Sequence, residues 1–203
     1  VLLAFDYSAG EAVELDPAAR AIVNDLAARR VNVIALSSNP NGATIAQNIL
    51  QRAQESNPKF VFVNVGYIPG NEAGLRLLAS GWLPASRQDV NGVAWGSSPL
   101  SDQVRGMDDL AVTVVLTGTE NNLKWWMEQV RPRVKSPMVA ATSALLEPQA
   151  LNYFNAKQLQ ASLRGLAGAA ELELLTNTAG QAVKTVDALS FVSLLLAGII
   201  IAA

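Results

Sequence analysis

Val1-Leu2-Leu3-Ala4-Phe5-Asp6 opens the chain with five consecutive apolar residues closed by a carboxylate. So short and unbroken a run reads as a strand buried on both faces, because a half-exposed strand would alternate apolar with polar. Comparable runs occupy residues 31–36, 60–65, 110–116 and 137–142. Between them the apolar spacing becomes helical: residues 11–30, 44–54, a short stretch from Asn71, residues 120–130 and residues 147–170. In the first of these, Asp16-Pro17 offers an N-cap followed by proline at the first helical position. Strands that alternate with helices form a parallel sheet covered on both faces, joined by right-handed crossovers. The expected fold is therefore α/β: a five-stranded, mostly parallel, doubly wound sheet in three α/β/α layers, followed by a C-terminal apolar helix. The spacing leaves Rossmann-like and flavodoxin-like strand orders equally open.

Working outward, residues 80–108 form a long connection rich in Gly, Ser, Pro and Asp, with Trp82 and Trp95 inside it. A connection of that length is often a binding or lid loop. Past the last domain helix, residues 174–187 read as a polar linker. Residues 189–203 (LSFVSLLLAGIIIAA) carry no charge and no proline. A membrane span needs about 20 apolar residues, so this run reads as the start of one. With Val1 already inside a strand, the chain is expected to be a globular domain trimmed from a longer membrane protein. The expected division is an α/β domain over 1–173, a linker over 174–187 and the beginning of a transmembrane helix over 188–203.

Composition excludes much chemistry. The 203 residues include no cysteine and no histidine. Thiolate nucleophiles, Cys-ligated metals, Ser-His-Asp triads and histidine acid–base catalysis are therefore impossible within this chain. The net charge is −2, with 15 basic and 17 acidic residues dispersed along the sequence, so the basic footprint of a nucleic-acid binder is missing. Arg131, Arg133 and Lys135 form a small local cluster that reads as a solvated connection.

In a doubly wound sheet, ligands bind beyond the carboxyl ends of the strands. That rule selects Asp6 and Ser8 after the first strand, Ser37 and Ser38 after the second, and Asn64 in the third. It adds Thr117 and Thr119 after the fourth strand and Ser143 after the fifth. The same residue types cap helices, so each has a purely structural reading beside the ligand-binding one. Neither Gly-x-Gly-x-x-Gly nor Gly-x-x-x-x-Gly-Lys-Ser/Thr is present, so the phosphate cradles of dinucleotide and P-loop proteins are lacking. Trp125-Trp126 reads as a helix face packed on the sheet. No catalytic residue, metal ligand or cofactor is assigned.

Asp6-Tyr7-Ser8-Ala9-Gly10 resembles the first half of the metal-ion-dependent adhesion site of von Willebrand A domains. That likeness implies a Mg²⁺ held through Asp6 and Ser8. The chain departs from it where Gly10 replaces a hydroxyl and where Thr117-Gly118-Thr119 lacks the aspartate. Asp6, with Ser37 or Ser38, also resembles the nucleophilic aspartate of haloacid dehalogenase-like phosphotransferases, but Ser8 stands where they carry a second aspartate. A broader likeness spans about residues 1–175: Ala4-Phe5-Asp6-Tyr7, the loop over 37–42, the exit over 65–70, Glu147-Pro148 with Tyr153, and the stretch over 165–170. These segments resemble a group of bacterial proteins in which an α/β, Rossmann-like domain is tethered to membrane helices. The resemblance implies tethering and a domain outside the cytoplasm, and brings no activity with it. The expected function is a non-catalytic, membrane-tethered domain that binds a protein partner or serves as a subunit of a membrane assembly. The alternative is a small-ligand or Mg²⁺-dependent domain using Asp6 and the strand-end hydroxyls.

Overall fold

The computed structural model describes residues 1–82, 84, 87–176, 180–188 and 190. Its centre is a parallel sheet in the order β3-β2-β1-β4-β5-β6. The strands are β1 (Leu2–Asp6), β2 (Val33–Ser37), β3 (Phe62–Tyr67), β4 (Thr113–Thr117), β5 (Met138–Thr142) and β6 (Ala161–Arg164). Every neighbouring pair is parallel. This is the Rossmann order, with its topological switch between β1 and β4. The sheet has six strands where the sequence predicted five.

The extra strand comes from the segment expected to be one helix over 147–170. It divides into α5 (Glu147–Asn155), β6 and α6 (Gly165–Leu175). Two backbone positions break the helix: Lys157 with φ of 59° and Gly165 with φ of 45°. Both are left-handed conformations that end a right-handed helix. Gly165 starts a helix, turning the chain sharply from β6 into α6. Gly168 lets α6 cross β6 closely, since a side chain there would press on the Leu163 backbone.

The remaining helices are α1 (Ala12–Ala28), α2 (Gly42–Ser56), α3 (Asn71–Gly81) and α4 (Glu120–Trp125), the last continuing as a π-helical turn over Trp126–Val130. Helix α1 begins four residues before Asp16, so Pro17 lies inside it and Asp16 is not its cap. The carbonyl that Pro17 cannot serve belongs to Val13, a residue 88% exposed, where water can replace the missing bond. Asp16 instead accepts the Tyr7 hydroxyl at 2.9 Å and pairs with Arg20 at 3.2 Å.

Alternate strand residues feed two cores. Leu2, Ala4, Ile34, Leu36, Val115 and Ala140 pack with Leu75, Leu78, Leu123 and Trp126. Leu3, Phe5, Val33, Ala35, Leu116 and Ala141 pack with Leu15, Ala19, Leu50 and Ala169 on the other face. Helices thus cover both faces of the sheet, as continuous apolar strands require. The long connection after α3 is no free loop. Trp82 and Trp95 meet edge to face at 5.6 Å, and both are buried with Leu100, Met107 and Leu110 against the first core.

Within the stretch read as a linker, residues 181–187 are helical. Ala182 is fully buried in the second core, and the buried Glu173 carboxylate accepts backbone N–H groups from Gly180, Ala182 and Val183 at 2.9–3.1 Å. Among the described residues no helix is long and apolar enough to cross a membrane. The apolar run over 189–203, expected to begin a span, lies, apart from residue 190, outside the described residues.

Candidate functional site

Asp6 ends β1, and the chemistry of the strand-end face is organised around it. Its carboxyl is wholly buried. The Ser38 amide donates to Oδ1 at 2.5 Å and the Ser37 hydroxyl stands 3.3 Å from the same oxygen. The Trp126 indole N–H donates to Oδ2 at 2.5 Å, from a residue 120 positions along the chain. Asn122 completes the clamp by donating to the Asp6 carbonyl at 3.0 Å. Burial pushes the Asp6 carboxyl above its ordinary range, and the bonds from Trp126, Ser38 and Ser37 partly oppose that rise.

The neighbouring loop leaves no room above this carboxyl. Ser37 Oγ lies 2.7 Å from the Phe5 carbonyl and accepts the Asn39 N–H at 2.9 Å. Gly42, the first residue of α2, packs so closely that any side chain would run into the Phe5 carbonyl and Ser37. Only glycine permits that approach. A buried carboxylate with its oxygens held by donors is an inward structural clamp. A nucleophile or metal ligand needs a free lone pair facing an open site.

The other predicted site residues settle into separate local arrangements. Ser8 presents both its amide and its hydroxyl to Glu11 Oε2, at 2.7 and 2.9 Å. Asn64 is satisfied at both ends, donating to the Ala43 carbonyl and to Gln47 Oε1, and accepting the Gly66 N–H. Thr117 and Thr119 bond to each other in a tight turn. The Ser143 amide donates to the Thr117 carbonyl at 3.3 Å. Thus Asp6, Ser37 and Ser38 come together, whereas Ser8, Asn64, Thr117, Thr119 and Ser143 do not join them in one cavity. Cavities lined by described residues lie elsewhere, beside β6 (about 490 Å³), beside Trp82 at the end of α3 (about 380 Å³), between the ends of α1 and α2 (about 320 Å³) and beside β3 (about 170 Å³), and none of the eight lines any of them.

Two carboxylates not singled out from sequence lie along the strand-end side of the sheet. Glu11 precedes α1 and lies against Gly118, where a side chain would collide with it. Glu14, in the first turn of α1, accepts the Ala144 N–H at 2.5 Å beside Gly165. Together they span the exits of β4 and β5 from the end of the helix where a dinucleotide protein would bind phosphate. Ser8-Ala9-Gly10-Glu11 carries the capping-box spacing, and the bond from the Ser8 amide to Glu11 is half of that motif. That signal was legible in the sequence.

Arg131, Arg133 and Lys135 also do structural work. Arg131 donates to the Val134 and Gln158 carbonyls, Arg133 to the Gln129 carbonyl, and the Lys135 amide to Asp108. Among the described residues no group of three or more His, Cys, Asp or Glu is placed to hold a metal ion. No family model, curated protein or solved structure matches the chain. The site is read from its own geometry.

Proposed function

We propose that this chain is a non-catalytic α/β domain that acts by binding a protein partner, or as a subunit of a membrane assembly. Its apolar C-terminal segment tethers it to the membrane, and the domain lies outside the cytoplasm. The enclosure of Asp6 carries this reading: the one acid at the strand ends suited to chemistry is sealed between Trp126 and the Ser38 amide. Glu11 lies against the exit of β4 and Glu14 against the exits of β5 and β6. The tether rests on the uncharged run over 189–203. A small-ligand or Mg²⁺-dependent domain would need Asp6 open to solvent, and its zero exposure weighs against that.

Thermal melting with Mg²⁺, ATP, NAD and simple sugars tests the non-catalytic half. A ligand at a hundred times its Kd adds about 2.7 kcal/mol to the native state, so no change in Tm is expected, and a saturable rise would sink the reading. Flotation with lipid vesicles tests the tether. The chain is expected to float, and the double substitution Leu195→Lys, Ile199→Lys to stay behind, because each lysine costs about 2.5–3.5 kcal/mol at the centre of a span. An unsubstituted chain that remains in the dense fraction removes the tether.

A further inference from the structure

The sheet treats its two edges differently. On the β3 side, the excursion after α3 folds back over the strand: the Val90 N–H donates to the Asn64 carbonyl at 2.9 Å, and Gln88 and Ala94 form an antiparallel bridge beside it. Trp95 is buried beneath that cover. On the β6 side, among the described residues no strand pairs with the outer edge. Ala161, Ser162 and Arg164 are exposed and Leu163 is half-buried. Next to them runs the groove of about 490 Å³, with Leu151 and Phe154 of α5 exposed on its wall. An unprotected edge is a template for another strand, and proteins that stay monomeric normally blunt it.

We propose that β6 is where two copies of this chain join, edge to edge about a twofold axis, so that one sheet runs through both. A strand pairing with its own copy across such an axis is antiparallel, and every contact occurs twice. The charges fit that arrangement. Exposed Lys157 stands before the N-terminal end of β6, while Glu147, Arg164 and Glu171 gather at the other end. Arg164 is paired with Glu147 at 2.7 Å, which leaves the Glu171 charge in excess. Antiparallel pairing carries Lys157 of each copy toward the acidic end of the other. A foreign peptide would gain only the backbone bonds of a four-residue strand, without the repeated helix contacts and the reciprocal charge match.

The central strand is short, so the association is expected to be weaker than that of a standard-sized interface, with a dissociation constant of roughly micromolar or larger. The test uses the 203-residue chain in mild detergent, read by sedimentation equilibrium and by cross-linking. Because the chain has no cysteine, Ser162→Cys places one thiol on the edge and Ser56→Cys places one at the exposed end of α2. Ser162→Cys is expected to cross-link copy to copy about tenfold faster than Ser56→Cys, through the proximity that pairing imposes. Lys157→Glu is expected to weaken self-association roughly five- to tenfold through its two symmetric contacts, and adding Glu171→Lys to restore it. A monomer at every concentration overturns the proposal. So do equal cross-linking at the two sites and an association indifferent to Lys157→Glu, as when the apolar tails alone hold copies together. None of these results bears on flotation, so the edge and the tether fail separately.

Discussion

Around Asp6 a carboxyl sits at zero exposure, with donors from β2 and the helix beyond β4 aimed at its oxygens. Along β6, a mostly exposed strand pairs with β5 on one side and with no described strand on the other. In the sequence they read differently, Asp6 as the polar close of a buried strand and residues 161–164 as part of one helix over 147–170. Physically they are opposites. Buried polar groups are costly unless satisfied, so the Asp6 clamp stores its interactions in folding. An open edge leaves its backbone groups in water, where they contribute little until another strand arrives. Substitutions at the first place should therefore cost stability and leave association intact, and those at the second the reverse.

The largest effect is expected at Trp126, which is fully buried. Trp126→Ala removes a large core side chain, worth about 3–5 kcal/mol, and strips Asp6 Oδ2 of its donor, worth about 1–3 kcal/mol more. Against a total stability of about 5–15 kcal/mol, the variant should be close to unfolding in water, as read by its urea midpoint. A loss below about 1 kcal/mol would mean that the Asp6 site is neither sealed nor tightly packed, and the contrast with β6 would collapse.

Asp6→Asn gives a smaller effect with a pH signature. An amide nitrogen must then face either the Trp126 indole or the Ser38 amide, two donors, at a cost of about 1–3 kcal/mol. The carboxyl of the native protein has its folded pKa raised by burial from an ordinary 3.8. It therefore holds its proton more tightly folded than unfolded. Its contribution to stability is complete below the unfolded pKa and declines as pH climbs from there through the raised folded value. The stability advantage of the native protein over Asp6→Asn should shrink with rising pH across that interval. An advantage that grows instead would mean the carboxylate, not the acid, is the form the fold prefers.

How far the sequence foretold this follows from range. The strands at 2–6, 33–37 and 113–117 were legible because an apolar run records its own burial locally. Asp6, Ser37 and Ser38 could be grouped from sequence, because the carboxyl ends of parallel strands share one end of the sheet. The partner that closes the site was not, since nothing near Trp126 in sequence records that its indole meets a carboxyl 120 residues away. β6 was hidden for a different reason. Leu151, Leu159 and Leu163 keep a near-helical spacing across residues that in fact turn at Lys157, and an edge strand exposed on most of its length carries no apolar run. The edge least visible in sequence is thus the one with no outer partner among the described residues.

The smallest effect on folding, and the sharpest test of the contrast, lies at Phe154, which is 43% exposed on the wall of the β6 groove. Phe154→Ala gives up a ring that is only partly covered, so its unfolding midpoint should stay within about 1 kcal/mol of the native protein, as for other surface positions. If two copies meet along β6, that ring becomes buried twice per dimer. Aromatic anchors of this kind carry a disproportionate share of association energy. Sedimentation should therefore show the population shifted to monomer while the melting curve barely moves. The converse pattern, a marked loss of stability with unchanged association, would place Phe154 in the domain's own core and make the flank of β6 as closed as the cluster around Asp6.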